Sequence, residues 1–135
     1  MLFRSTISYS LSSIYGVAVS KSTIQFSGSP GTNNVNATNN PQIVNNTGNT
    51  AFTAINITAF NLKSGSNYIG AGNFTANVTD ASGAGHTLGN NTQVQLAGSS
   101  VAVQATKNVY IYMNIPTGAA NGTYTPIQDW VVTIQ

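Results

Sequence analysis

Val109, Ile111, Met113 and Ile115 alternate with Tyr110, Tyr112 and Asn114. Strict alternation sends successive side chains to opposite faces, so this stretch is committed to an extended strand with one buried side. The pattern recurs along the chain. Ile55, Ile57 and Ala59 alternate with Asn56 and Thr58, and Phe74, Ala76 and Val78 with Thr75, Asn77 and Thr79. Shorter runs repeat it: Ile24 with Phe26, Val94 with Leu96, Val101 with Val103. Tyr124, Trp130, Val132 and Ile134 share one parity in the last segment, where Pro126 marks an edge or bend. No window sustains i, i+3, i+4 apolar spacing, so no helix is expected. Short strands separated by turn residues describe an all-β, antiparallel β-sandwich. Its expected core is Ile24, Phe26, Ile55, Ile57, Phe74, Val78, Val94, Leu96, Val109, Ile111, Met113, Trp130 and Val132.

The connections follow from turn chemistry. Residues 42–62 read as a hairpin, with Ile43 and Val44 before Asn46-Thr47-Gly48-Asn49 and the alternating run at 55–59 after it. Residues 27–40, 63–72 and 80–89 read as loops rich in Gly, Pro or Asn. Residues 116–122 form another, ending in the tight-turn dipeptide Asn121-Gly122.

At 135 residues the chain is one domain with room for a core. Charged residues make up 4% of it, against about a quarter in a typical soluble domain. Its polarity comes from Asn, Thr, Ser and Gln, a surface suited to a coat of sugar or to packing within an assembly. A net charge of +2, scattered over few residues, gives no footprint for nucleic acid. There is no Cys, hence no disulfide or thiol–metal site, and no apolar run of about 18 residues to span a membrane as a helix. Residues 1–20 carry Arg4 and a mildly apolar stretch, but Ser5, Ser8, Ser10, Ser12 and Ser13 make a poor signal-peptide core.

Catalysis fails on inventory. His86 is the only His, and Asp80 and Asp129 are the only side-chain carboxylates. No nucleophile elbow, acid pair or metal-ligand spacing assembles from them, so no enzyme, cofactor or metal is expected.

Three stretches carry a resemblance. STIQFSGSPGT at 22–32, NNTGNTAFTAINIT at 45–58 and IPTGAANGTYTPIQDWVVTI at 115–134 resemble immunoglobulin-like domains of archaeal secreted and surface proteins. The resemblance implies an extracellular immunoglobulin-like β-sandwich over residues 22–135, often glycosylated, of the kind found in surface layers, stalks and filaments. Residues 1–21 lie outside it.

Asn-x-Ser/Thr acceptor patterns occur at Asn36, Asn45, Asn56, Asn73, Asn77, Asn90 and Asn121. A chain so rich in Asn and Thr generates some by chance. Parity places Asn56, Asn73 and Asn77 opposite apolar neighbours, so these three are expected on the wet face, with Asn73 and Asn77 fully exposed. Tyr110 and Tyr112 are likewise expected to point outward, either simply as residues favoured on a half-exposed strand face or as a subunit contact, rather than as a sugar platform.

The N-terminal segment alternates twice: Phe3, Ile7, Tyr9 and Leu11, then Tyr15, Val17 and Val19. An extended segment needs backbone partners, because ordering costs about 1–2 kcal/mol per residue. Added to its own sandwich it is a first strand. Added to a neighbour it makes a head-to-tail contact that does not close and so builds a filament. The expectation is the second: residues 1–21 as a donor strand and the chain as a structural subunit of an extracellular filament, a homopolymer carrying N-linked glycans. The alternatives are an adhesion or carbohydrate-binding module, or a surface-layer or capsid component.

Overall fold

The computed structural model describes Ser10 and residues 12–135. Phe3, Ile7, Tyr9 and Leu11, four of the expected subunit-contact residues, lie outside the described residues. Among the described residues twelve strands follow in chain order: β1 (Val17–Val19), β2 (Val35–Asn36), β3 (Gln42–Asn46), β4 (Ile55–Ala59), β5 (Leu62–Ser64) and β6 (Asn67–Ile69), then β7 (Phe74–Asn77), β8 (His86–Thr87), β9 (Thr92–Gln95), β10 (Thr106–Met113), β11 (Thr125–Pro126) and β12 (Val131–Ile134). A single 3-10 turn, Ala71–Asn73, is the only helical element among the described residues.

The fold is all-β and antiparallel throughout its named pairings. One layer runs β1-β3-β10-β7-β8, with β2 also on β10. A second layer is β12-β4-β9, and a small third sheet is β11-β5-β6. One apolar cluster joins the two main layers: Val44, Phe74, Val109 and Ile111 from the first, Ile55, Ile57 and Leu96 from the second. The register of β10 is the expected one, with Val109, Ile111 and Met113 buried on the core side.

Residues 42–62 are not a hairpin. β3 pairs with β10 and β1, whereas β4 pairs with β12 and β9. The link crosses from one layer to the other, so the apolar faces of β3 and β4 meet across the core. Asn46 explains the arch. Its buried amide donates to the carbonyls of Thr50 (2.9 Å) and Ala102 (3.1 Å), and its Oδ1 accepts from Gly48 N (3.0 Å). Beyond it, Phe52 bridges to Val101 and Thr53 N donates to Gln135 O (2.6 Å). Turn-forming residues were legible here; which sheet received the second strand was not.

Other differences are local. Residues 22–26 form no strand, although Ile24 and Phe26 do pack on the core. Residues 63–69, expected as loop, form with Leu62 the β5–β6 hairpin around Gly65 at φ +57, with buried Ile69 opposite Leu62. Val101 makes only an isolated bridge. The last segment splits at Pro126 into β11, on β5, and β12, on β4.

Candidate functional site

The two layers differ in width, and the site arises from the mismatch. β1 lies on β3 with Val19 opposite Val44 and Val17 opposite Asn46. Gln42, Val44 and Asn46 are the buried, core-facing residues of β3, so Val17 and Val19 share the core-facing parity. They nevertheless remain 39% and 46% exposed. The second layer stops short of them at β12. On its other side β12 has no strand partner among the described residues. Val132 and Ile134, in register with Ile57 and Ile55, are accordingly only half-buried. A gap lined by Val19, Val44 and Val132 therefore flanks the free edge of β12.

Residues 22–28 cross this gap without closing it. Their backbone is tied to the loop before β3: Thr38 N donates to Gln25 O (2.8 Å), Gln25 N to Asn39 Oδ1 (3.1 Å) and Asn39 Nδ2 to Thr23 O (2.6 Å). Phe26 meets Phe74 edge-on with centroids 5.5 Å apart, and Phe74 meets Trp130 at 5.1 Å. Trp130 is fixed by its indole N–H on Phe60 O (2.9 Å). Alongside them remains a groove of about 1080 Å³, lined by Val44, Ile57, Ile111, Trp130 and Val132 among others. Pockets for small molecules run to about 300–1,000 Å³ and converge a few polar groups on the ligand. This groove is as large and mostly apolar, which suits an extended chain.

The molecule is polar end to end. Residues 12–16 leave the sheet beside the β3–β4 arch: Ile14 N donates to Asn49 Oδ1 (2.7 Å), Asn49 N to Ile14 O (3.1 Å) and Asn49 Nδ2 to Ser12 O (3.0 Å). Gly48 permits this approach, since a Cβ there would collide with the Ile14 carbonyl. β10 runs antiparallel to β3, from Thr106 opposite Asn45 near the arch toward Met113 at the other end. Ile115, which follows β10 and also lines the groove, lies at that far end.

The expected contact residues divide. Val17 and Val19 are paired within their own chain, so the boundary drawn at residues 21 and 22 does not separate an extension from the sheet. Tyr15 is exposed and Tyr110 half-buried. Tyr112 does not point outward as a contact: it is 2% exposed, and its hydroxyl donates to Asp80. The segment after β7 covers it, which parity alone could not foretell. Burial, then the hydrogen bond and charge of Asp80, with Tyr110 adding, push its phenol up to about 12.

The acceptor asparagines also divide. Asn36, Asn90 and Asn121 are exposed and Asn45 is half-buried. Asn73 and Asn77 are half-buried rather than fully exposed; Asn73 Nδ2 donates to Gly70 O (3.1 Å) and Asn77 Oδ1 accepts from Val78 N (2.8 Å). Asn56 is 2% exposed, not on a wet face. It sits in the middle strand between Thr133 and Gln95, and the flanking strands shield it.

The groups weighed for catalysis lie apart. His86 Nε2 accepts from Ala97 N (3.0 Å), and Asp80 is engaged by Tyr112. Among the described residues no three His, Asp, Glu or Cys side chains gather as a metal site, and no helix is long and apolar enough to cross a membrane. One buried polar atom in the groove wall escaped sequence reasoning: Gln42 Nε2 has no hydrogen-bond partner among the described residues. No family model matches the chain, and neither a curated protein nor a solved structure matches it.

Proposed function

We propose that this chain is the structural subunit of an extracellular filament, polymerising by insertion of the N-terminal segment of one copy into the groove of the next. The observation that carries the reading is the groove beside β12, where core-facing Val19 and Val132 stand partly uncovered. A sheet edge with free N–H and C=O groups above an apolar trough recognises an added strand: the backbone gives affinity and alternate side chains give specificity. Residues 1–11 carry such a pattern in Phe3, Ile7, Tyr9 and Leu11. At about 3.3 Å per residue they reach roughly 36 Å, well past the four residues of β12. The segment departs at the arch end and the groove extends to the other end, so each copy gives at one pole and receives at the other. The resemblance to archaeal surface domains and the nearly uncharged surface fit this role.

The test is electron microscopy of the full chain beside a chain truncated to residues 12–135, which keeps β1. The full chain forms fibres, the truncated chain stays dispersed, and excess free peptide of residues 1–11 shortens the fibres. Fibres from the truncated chain, or a full chain that stays monomeric at high concentration, would end the proposal.

N-linked glycans belong to the same reading. Exposed Asn36, Asn90 and Asn121 are the acceptors, whereas Asn56 offers no accessible amide in the folded chain. Peptide mass spectrometry of native material should find sugar on the first group and none on Asn56. The reverse distribution would refute it.

A further inference from the structure

Gln42 is 6% exposed and faces the core from β3, opposite Val109 of β10. It lines the groove, and its Nε2 has no partner among the described residues. A buried donor left unpaired is costly, and such atoms are rare in folded proteins. Within the groove wall it is an anomaly unless an acceptor arrives from elsewhere.

The N-terminal segment has one matching irregularity. On the parity of Phe3, Ile7, Tyr9 and Leu11 the remaining residue between Phe3 and Ile7 is Ser5, the single small hydroxyl on an otherwise apolar or aromatic face. A Ser oxygen accepts hydrogen bonds. Resting on the filament reading, we infer that Ser5 of the inserted strand accepts a hydrogen bond from Gln42 of the receiving copy, and that this pair sets the register of insertion. A one-residue slip would turn the apolar face away from the groove, but a two-residue shift keeps it inward, so a polar pair adds discrimination that burial alone does not supply. A lone donor facing the one small hydroxyl makes either two-residue shift leave Gln42 unpaired and Ser5 against hydrocarbon. A shift by two residues would bring Phe3 or Ile7 to Gln42 instead.

The test is a double-mutant cycle on the full chain, read as the critical concentration for polymerisation by light scattering, with thermal unfolding of each variant as the folding control. Gln42→Leu removes the unpaired donor and so holds or raises the unfolding midpoint of the unassembled chain. It nonetheless raises the critical concentration about tenfold, by stranding Ser5 in the assembled state. Ser5→Ala raises it by a similar factor, by stranding Gln42. The double variant, with both partners apolar, recovers most of the loss. Independent, multiplying effects in the double variant, or no effect from either single change, would overturn the pairing while leaving strand insertion in place. A wild-type chain that does not polymerise would overturn both.

Discussion

The two margins of the sandwich are built differently. At one, β8 ends the first layer and β9 ends the second, and only residues 88–91 separate them. That short link forces the margins together. Leu88 fills the seam, its N–H on Phe74 O (2.9 Å), and Ala97 N donates to His86 Nε2 across it (3.0 Å). At the other margin, β1 and β12 come from opposite ends of the chain, and no short covalent link draws them together. There the layers part, core-facing valines stay exposed, and a groove remains. Closure follows chain continuity. The margin that the chain does not close by a tight connection is the one left open.

The comparison breaks most sharply under matched truncations. Leu88→Ala at the closed margin, where the side chain is buried, should cost about 2–5 kcal/mol of unfolding free energy. Val19→Ala at the open margin should stay within about 0.5 kcal/mol in the unassembled chain. Urea unfolding of both variants measures the contrast; equal losses would mean that the open margin is already closed within one copy.

A smaller effect tests the outer cover between β7 and β8. Tyr112→Phe removes the hydroxyl bond to Asp80 and should cost about 1 kcal/mol, because exposed Asp80 can rebond to water. The fold favours the neutral phenol, whose pKa is pushed up to about 12 from the ordinary value of about 10. The stability it contributes is therefore complete below pH 10 and is lost as pH rises from about 10 toward 12. In Tyr112→Phe that part of the alkaline loss should vanish, as thermal melts across this range would show.

How much of this was readable follows from what each residue reports. The alternation at 109–115 gave the register of β10 because the strand has the main core on one side whatever lies on the other. It could not reveal that the segment after β7 buries Tyr112 from the opposite side. Asn46-Thr47-Gly48-Asn49 announced a turn, but the same residues serve a hairpin and an inter-layer arch; the choice rests on contacts of Asn46 with Thr50 and Ala102, the latter more than fifty residues away. Asn56 kept its parity and still became buried, since the middle strand of a narrow sheet is shielded by its neighbours. Their alternation marks Val17 and Val19 as strand residues, expected to contact another copy. Their partner, β3 of the same chain, depends on long-range pairing. The groove was invisible for the same reason: it is a difference in width between two layers, and no local pattern encodes that.

The central claim is that the open margin is filled in trans. The chain contains no Cys, so a pair of engineered thiols reports on one contact without background. Full-length protein carrying Ile7→Cys and Val132→Cys, the second in the groove beside the free edge, should be oxidised after assembly and run on a denaturing gel without reductant. The account predicts a ladder of covalent multimers that collapses to monomer on reduction. Monomer alone, with the two thiols joined within one chain, would contradict it.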